Sequence, residues 1–256
     1  MNQKLDEVGK RLGRQLEYLA VEGNGMSGGL ATFWTPKSLH LLNAEATKTF
    51  LALEMQVIGE KRTLLFTNVY SPQRQENKMM LLSNLTKLHQ RHFNSSAIYG
   101  GDFNMITSLN EKKGGTRALG NDAIAFSSFI RDVNLVDIQP HTGNFTWTNR
   151  RGGDRLIASR VDRFLVSESI LLEGNIINSD ILPSGGLDHW PITLQASILG
   201  TPRNKPFRFE KFWLSHKEFS SNIKTWWKEP LPVVGTKMLK LQARLKFIKT
   251  KLKAWN

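Results

Sequence analysis

The chain has 256 residues, 40% of them hydrophobic, no cysteine and a formal net charge of +13. That length and apolar content suit one large domain with an appendage and exclude a disordered chain, and the missing cysteine excludes disulfide partners, thiolate metal sites and cysteine nucleophiles. No apolar run is long enough to span a bilayer and the N-terminus is too charged for a signal peptide, so a soluble, intracellular protein without a membrane partner is expected.

The charge is uneven. Residues 201–256 hold 14 Lys and Arg against 3 Glu, whereas residues 1–200 hold 21 against 19 acidic residues. A nearly neutral body with a basic arm suits a polyanion partner, nucleic acid first, with a solvated helix face as the plainer reading.

In chain order, residues 6–19 place Val8, Leu12, Leu16 and Leu19 at helical spacing, and residues 30–34 read as a strand closed by Pro36. Residues 47–57 and 62–70 are predicted to form a hairpin with one buried face, because Leu51, Leu53, Met55 and Val57 alternate with mostly smaller or polar residues. Its second strand ends at Thr67-Asn68-Val69-Tyr70-Ser71-Pro72. Residues 75–93 keep a helical leucine period, with His89 and His92 expected on the solvent side. Ser96-Ala97-Ile98-Tyr99 reads as a buried strand running into Gly100-Gly101-Asp102-Phe103-Asn104. There a carboxylate and an amide two residues apart share one side of an extended chain, although alone a Gly-Asp turn is the simpler reading.

Residues 110–121 read as a mobile loop rich in Lys, Gly and Arg, followed by a helix that Asp122 caps and that carries Phe126, Phe129, Ile130 and Val133. Strands are predicted at 135–138, 145–148 and 160–166, with a basic turn at 150–155 and a short helix around 169–172. Asp188-His189 follows a glycine turn and opens the strand 190–194. Beyond residue 202, a capping box at 215–218 precedes a helical face of Phe219, Ile223 and Trp226, which Pro230 ends. Residues 236–255 carry Leu241, Leu245, Ile248, Leu252 and Trp255 in steps of four and three, an apolar stripe that needs a partner.

Asn68, Tyr70, Asp102, Asn104, Asp162, Asp188 and His189 thus gather at predicted strand ends. Carboxylates that orient water, with neutral donors and a histidine that stabilise charge on phosphoryl oxygens, are what phosphodiester hydrolysis requires. No Walker loop, dinucleotide fingerprint or Ser-His-Asp arrangement competes.

The motifs Asn68-Val69-Tyr70-Ser71-Pro72, Gly101-Asp102-Phe103-Asn104, Phe145-Thr146-Trp147-Thr148, Ser159-Arg160-Val161-Asp162-Arg163-Phe164 and Asp188-His189-Trp190-Pro191-Ile192 occur in the order found in the endonuclease/exonuclease/phosphatase superfamily. More narrowly, the chain resembles the apurinic-endonuclease-like domain of plant LINE-type non-LTR retrotransposons. Pro206 to Trp213 and Leu252 to Asn256 resemble the connector to the reverse transcriptase that follows it. The resemblance implies an α/β four-layer sandwich of two packed mixed β-sheets flanked by helices over residues 1–200, and a basic helical connector over 201–256.

It also implies a DNA-nicking phosphodiesterase in the nucleus, using Mg2+ or Mn2+, with RNA a further candidate partner for the tail. Asp102 would activate water, Asn104 and Tyr70 would meet the phosphate or leaving group, and His189 oriented by Asp162 would stabilise the transition state or pass a proton. Asp188 would serve the metal, and Asn68, Trp147, Arg150 and Arg151 would contact phosphate or nucleic acid. Two departures count against full activity. Met1-Asn2-Gln3-Lys4 begins where the family's metal-binding Glu motif should just have ended, and Leu187 stands where a small polar residue usually precedes Asp188. A non-catalytic nucleic-acid-binding protein, a pseudogene product and a phosphatase of the same superfamily remain the alternatives.

Overall fold

The computed structural model describes residues 7, 16–23, 29–93, 95–116, 118–172, 177–196, 214, 216–230 and 237–255. They divide into two compact units, Met1–Gly200 and Thr201–Asn256. The first runs β1 (Glu17–Val21), β2 (Leu30–Trp34), β3 (Leu39–Ala46), β4 (Phe50–Val57), β5 (Thr63–Tyr70), α1 (Gln75–Arg91), β6 (Ser96–Asp102), β7 (Lys112–Lys113) and α2 (Asn121–Asp132). It continues with β8 (Leu135–Ile138), β9 (Trp147–Thr148), β10 (Ala158–Ser159), β11 (Asp162–Ser167), α3 (Glu168–Leu172), β12 (Ile177–Ile181) and β13 (Ile192–Ala196). The second holds α4 (Phe219–Lys228) and α5 (Lys237–Trp255).

A six-stranded sheet of order β3-β4-β5-β6-β11-β8 is the frame. Its pairs are antiparallel except β5 with β6, whose parallel pairing is made by the crossover helix α1. Because side chains alternate across a strand, each central strand feeds two cores. Phe50, Ala52, Leu65, Val69, Ala97, Tyr99 and Leu165 face α1 and α2, where they meet Leu81, Leu85, Leu88, Phe126 and Phe129. On the opposite face Leu51, Leu53 and Met55 pack with the β1–β2 pair, and Val57, Leu64, Ile98 and Val166 lie in the cluster that reaches β12 and β13.

The α/β class and the packing of sheets against each other and against helices agree with expectation. The second sheet layer, however, is divided among the described residues into β1–β2, β12–β13 and the small sheet β7-β10-β9. The predicted hairpin is present, but β4 is buried on both faces rather than one, since it is an inner strand with a layer on each side. Strand β3 was not legible because it is an edge strand, largely exposed, whose period breaks at a bulge between Leu41 and Asn43. Leu16 and Leu19 of the expected first helix do not continue a helix, because Glu17–Val21 is a strand paired with β2; residues 8–15 lie outside the described residues. Neither histidine of α1 is solvent-facing as expected. His89 Nδ1 lies 3.1 Å from the Tyr99 hydroxyl and its pKa is lowered by burial, and His92 is half-buried near Glu54.

One polar cluster crosses the apolar frame. Arg163, fully buried, donates to Glu111, to Asp137 and to the carbonyls of Met105 and Arg160, while Arg160 donates to Glu111, Asp137 and the Ile138 carbonyl. Burial opposes the Glu111 carboxylate, yet the hydrogen bonds and charge of Arg163, with help from Thr107 N–H and Arg160, hold its pKa below the usual value. Two cations and two anions pair with each other, with Arg163 Nε left without a hydrogen-bond partner among the described residues, and tie the chain after β6 to strands β8 and β11.

In the second unit, Ile248 and Leu252 of α5 are buried against Phe219, Ile223, Trp226, Phe247 and Trp255. The expected apolar face of α4 is thus an internal one, and Lys228 ends that helix before Pro230. The α5 stripe is only partly covered, because Leu241 and Leu245 stay exposed. Ser215 of the expected capping box lies outside the described residues, and Glu218 occupies the N-cap.

Arg163→Met removes one partner from a buried four-charge network, leaving carboxylates uncompensated, and should cost about 3–5 kcal/mol. Arg131→Met, at an exposed pair with Asp132, should stay within about 0.5 kcal/mol. Urea unfolding at neutral pH measures both.

Candidate active site

Strand register assembles the site before any side chain is considered. Tyr70 pairs with Asp102 across the parallel β5–β6 ladder, and Asp102 pairs with Asp162 across the antiparallel β6–β11 ladder. One phenol and two carboxylates therefore end three adjacent strands in a single row. The glycines before Asp102 are required by sterics. A Cβ on Gly101, whose φ is +134°, would sit 2.1 Å from the Val69 carbonyl oxygen, and one on Gly100 would strike the Phe164 ring at 2.6 Å. Asn104 follows with φ +49°, a left-handed conformation that Asn tolerates better than most residues. Its backbone N–H donates to Asp102 Oδ1 at 2.8 Å, folding the loop back over the carboxylate.

The segment 146–148 brings in the last group. The buried Thr146 Oγ1 accepts the backbone N–H groups of Val161 and Asp162, at 3.0 and 2.9 Å. Trp190 N–H donates to the Thr146 carbonyl, Thr148 N–H donates to the Asp188 carbonyl, and Trp147 bridges His189. This seats His189 Nδ1 2.9 Å from Asp162 Oδ2. Tyr70, Asp102, Asn104, Trp147, Asp188 and His189 line one cleft of about 910 Å³.

The electrostatics differ from residue to residue. Burial, reinforced by the neighbouring Asp162 charge, pushes Asp102 up to about 6. The hydrogen bond that His189 donates to the Asp162 carboxylate raises its pKa, with burial opposing and the charges of Asp162, Asp102 and Asp188 adding. A carboxylate that titrates near neutrality faces a histidine biased toward its charged form. Such perturbed groups in a cleft mark candidate acid–base machinery.

Of the other anticipated residues, Arg150 lies beside the cleft with Nη2 3.9 Å from Asp188 Oδ1. Arg151 is exposed in the following turn and does not line the cleft. Asn68 does not face the cleft: its amide donates to the Ala31 carbonyl and Thr32 Oγ1, clipping β5 to β2. Lys112, from the basic loop that the nucleic-acid-binding alternative drew on, stands on the wall; sequence reasoning missed Lys48, Thr49 and Gln73 there, and the Lys78–Asp122 pair at 2.8 Å, whose Asp122 lines it. Asp122, read as a helix cap, serves in that pair while Gly120 takes the N-cap. No motif marks these residues; they meet only through folding.

The divalent metal implied by the resemblance does not fit these residues. Among the described residues no three His, Asp or Glu side chains come together to hold an ion. Asp188 is exposed with Arg150 at its side, and Asp102 is buried with one oxygen taken by the Asn104 N–H.

No protein-family model matches the sequence, and no curated protein matches it. Solved structures do. The endonuclease domain of TRAS1, a telomere-specific non-LTR retrotransposon, superposes with TM-score 0.55 at 16% identity, over 72% of this chain and 81% of that one. A mannosyl-6-phosphatase of Bacteroides thetaiotaomicron gives 0.52 at 15% identity, over 76% and 81%. TDP2 of D. rerio, complexed with a single-strand DNA product, gives 0.50 at 14%, over 75% and 80%. An endonuclease/exonuclease/phosphatase family protein of Bacteroides thetaiotaomicron gives 0.53 at 13%, over 76% and 79%. This chain therefore has the fold of the endonuclease/exonuclease/phosphatase proteins, the TRAS1 endonuclease domain among them.

Proposed function

We propose that the chain is a phosphodiester-hydrolysing domain of the DNA-nicking, retrotransposon type, working below the rate of a relative with a complete metal site. The observation that carries this reading is the His189–Asp162 pair, held at 2.9 Å in the same cleft as Asp102 and Asn104. Ionised Asp102 takes a proton from a water that attacks phosphorus. The P–O bond to the leaving oxygen breaks, that oxygen keeps the bonding pair and takes a proton from solvent, and charge develops on the phosphoryl oxygens in between. His189, its Nδ1 engaged by Asp162, offers Nε2–H to that charge, and Asn104 and Tyr70 supply neutral donors. Mg2+ or Mn2+, the expected cofactor, has Asp188 as its one exposed carboxylate here, and so no step is assigned to it.

DNA is favoured over a small phosphate ester because Trp147 and Lys112 line the cleft and Arg150 borders it, offering a stacking surface with phosphate-binding charge. A second reading, phosphate holding without hydrolysis, draws on Arg150 standing beside Asp188. Salt-sensitive DNA binding that survives His189→Ala, with no nicking by the parent chain, would favour it.

With Mg2+ or Mn2+, the chain should nick supercoiled plasmid at least about tenfold more slowly than a relative with a complete metal site, and both Asp102→Ala and His189→Ala should abolish the nicking. A rate equal to the relative's would refute impairment; nicking that persists in either variant would refute the assigned chemistry.

The rate should follow a bell-shaped pH profile. Activity falls as pH drops through about 6, where Asp102 takes up a proton, and falls again as pH rises through the raised pKa of His189.

Asp102→Asn should also stabilise the fold. A folded-state pKa above the unfolded value means that stability is lost as pH rises from the ordinary carboxyl value of 3.8 through about 6. The amide should therefore gain about 1–3 kcal/mol at pH 8, and the gain should shrink toward zero at pH 4. Urea unfolding at the two pH values measures it.

A further inference from the structure

The second unit carries a surface that the cleft chemistry leaves unused. Its apolar cluster closes internally, with Phe219, Ile223, Trp226 and Trp255 around the buried Ile248 and Leu252. Its polar closure is internal too. Arg244 donates to the Trp226 and Glu229 carbonyls, and Lys251 pairs with Glu229 at 3.1 Å. Glu229 is thus occupied, and Glu218, at the N-cap of α4, is the other acidic residue between positions 214 and 255.

What remains outside is cationic and aromatic. At 3.6 residues per turn, Ser220, Lys224, Trp227 and Lys228 share one flank of α4, with Trp227, one turn after Ile223, at the border of the internal face. All four are exposed, and Trp227 keeps 46% of its surface in solvent. Lys224 and Lys228 have no acidic partner among the described residues. Trp227 follows Lys224 by about one turn and directly precedes Lys228, so an exposed ring lies beside two cations and joins a stacking face to phosphate-binding charge. It suits a polyanion with planar groups to stack.

We propose that α4 binds single-stranded polynucleotide, with Lys224 and Lys228 meeting successive phosphates and Trp227 stacking on a base. Stacking platforms combined with backbone-tracking cations recognise single strands with little sequence preference, because every base has a π-face. A duplex hides those faces. The site is independent of the hydrolytic reading, for none of its residues belongs to the first unit.

Fluorescence anisotropy of the full chain with labelled twenty-nucleotide U and dT strands, with a duplex of equal length as competitor, tests this. To remove binding by the cleft, the measurement is made in a Trp147→Ala, Lys112→Ala background. Trp227→Ala should weaken single-strand binding about tenfold, within the range per stacked base, and Trp227→Phe should restore most of it. Lys224→Gln with Lys228→Gln should also weaken binding and lower the salt slope by about 1.4, at roughly 0.7 per phosphate contact. Equal affinity for U and dT strands marks a backbone-and-stacking site; a strong preference for U adds a ribose contact to it. Circular dichroism verifies that the helices persist in each variant. The proposal is overturned if Trp227→Ala leaves affinity unchanged, or if the duplex competes as well as single strands. It is overturned equally if neither strand binds while phosphatidylserine vesicles sediment the chain in a Trp227-dependent manner, which would make the surface a membrane contact.

Discussion

The alignment of three strand ends is the constraint on which the site depends. Tyr70, Asp102 and Asp162 occupy one row because β5 and β6 run parallel while β6 and β11 run antiparallel, in registers that coincide at Asp102. A one-residue slip would turn every side chain of a strand to the opposite face and send Asp102 into the apolar layer beneath the helices. Sterics hold the register at the critical point: only glycine fits where Gly101 lies against the Val69 carbonyl, so β5 and β6 approach closely where the carboxylate emerges. The core packing of Tyr99 and Val69 on one face and of Ile98 and Leu64 on the other makes that register the low-energy one.

The row would still be loose at its open side without the buried charges. Arg163 leaves β11 one residue after Asp162 and holds the Met105 carbonyl one residue after Asn104. The same side chain grips Glu111, whose Oε2 accepts the Thr107 N–H. The loop that turns Asn104 over Asp102 is therefore tied at both ends to the strand that supplies Asp162. Such a network is an uncertain source of net stability, because desolvation offsets much of the attraction. Its contribution is geometric, as each half-formed alternative would leave a charge buried without a partner.

How much of this could be read beforehand depended on whether the signal was local. The Gly-Gly-Asp-Phe-Asn turn, the Asp188-His189 pair and the Asp162 strand are short stretches whose chemistry is visible in isolation, and the structure brings them together. Asn68 shows the limit: a polar residue near a strand end suggested a ligand contact, but its amide is spent on the edge of β2. Lys48 and the Lys78–Asp122 pair were illegible because nothing local distinguishes them from other surface charges. Edge strand β3 escaped because a bulge interrupts its period, and His89 because its partner Tyr99 lies on another element. In each case a tertiary neighbour overrode a sound local reading.

The same proximity that raises Asp102 also limits what the cleft can do alone. Two carboxylates at paired positions on adjacent strands repel, and burial of Asp102 makes its own ionisation costly. Both penalties fall where positive charge stands nearby, and the chain provides it: His189, held by Asp162, and Lys78 both lower the pKa of Asp102, while Lys48 and Lys112 line the cleft. A protonated histidine offsets one charge, whereas an attacking hydroxide and a phosphoryl group add more. The cleft thus sets a carboxylate and a histidine, both raised, among cations that reach it from separate elements of the fold.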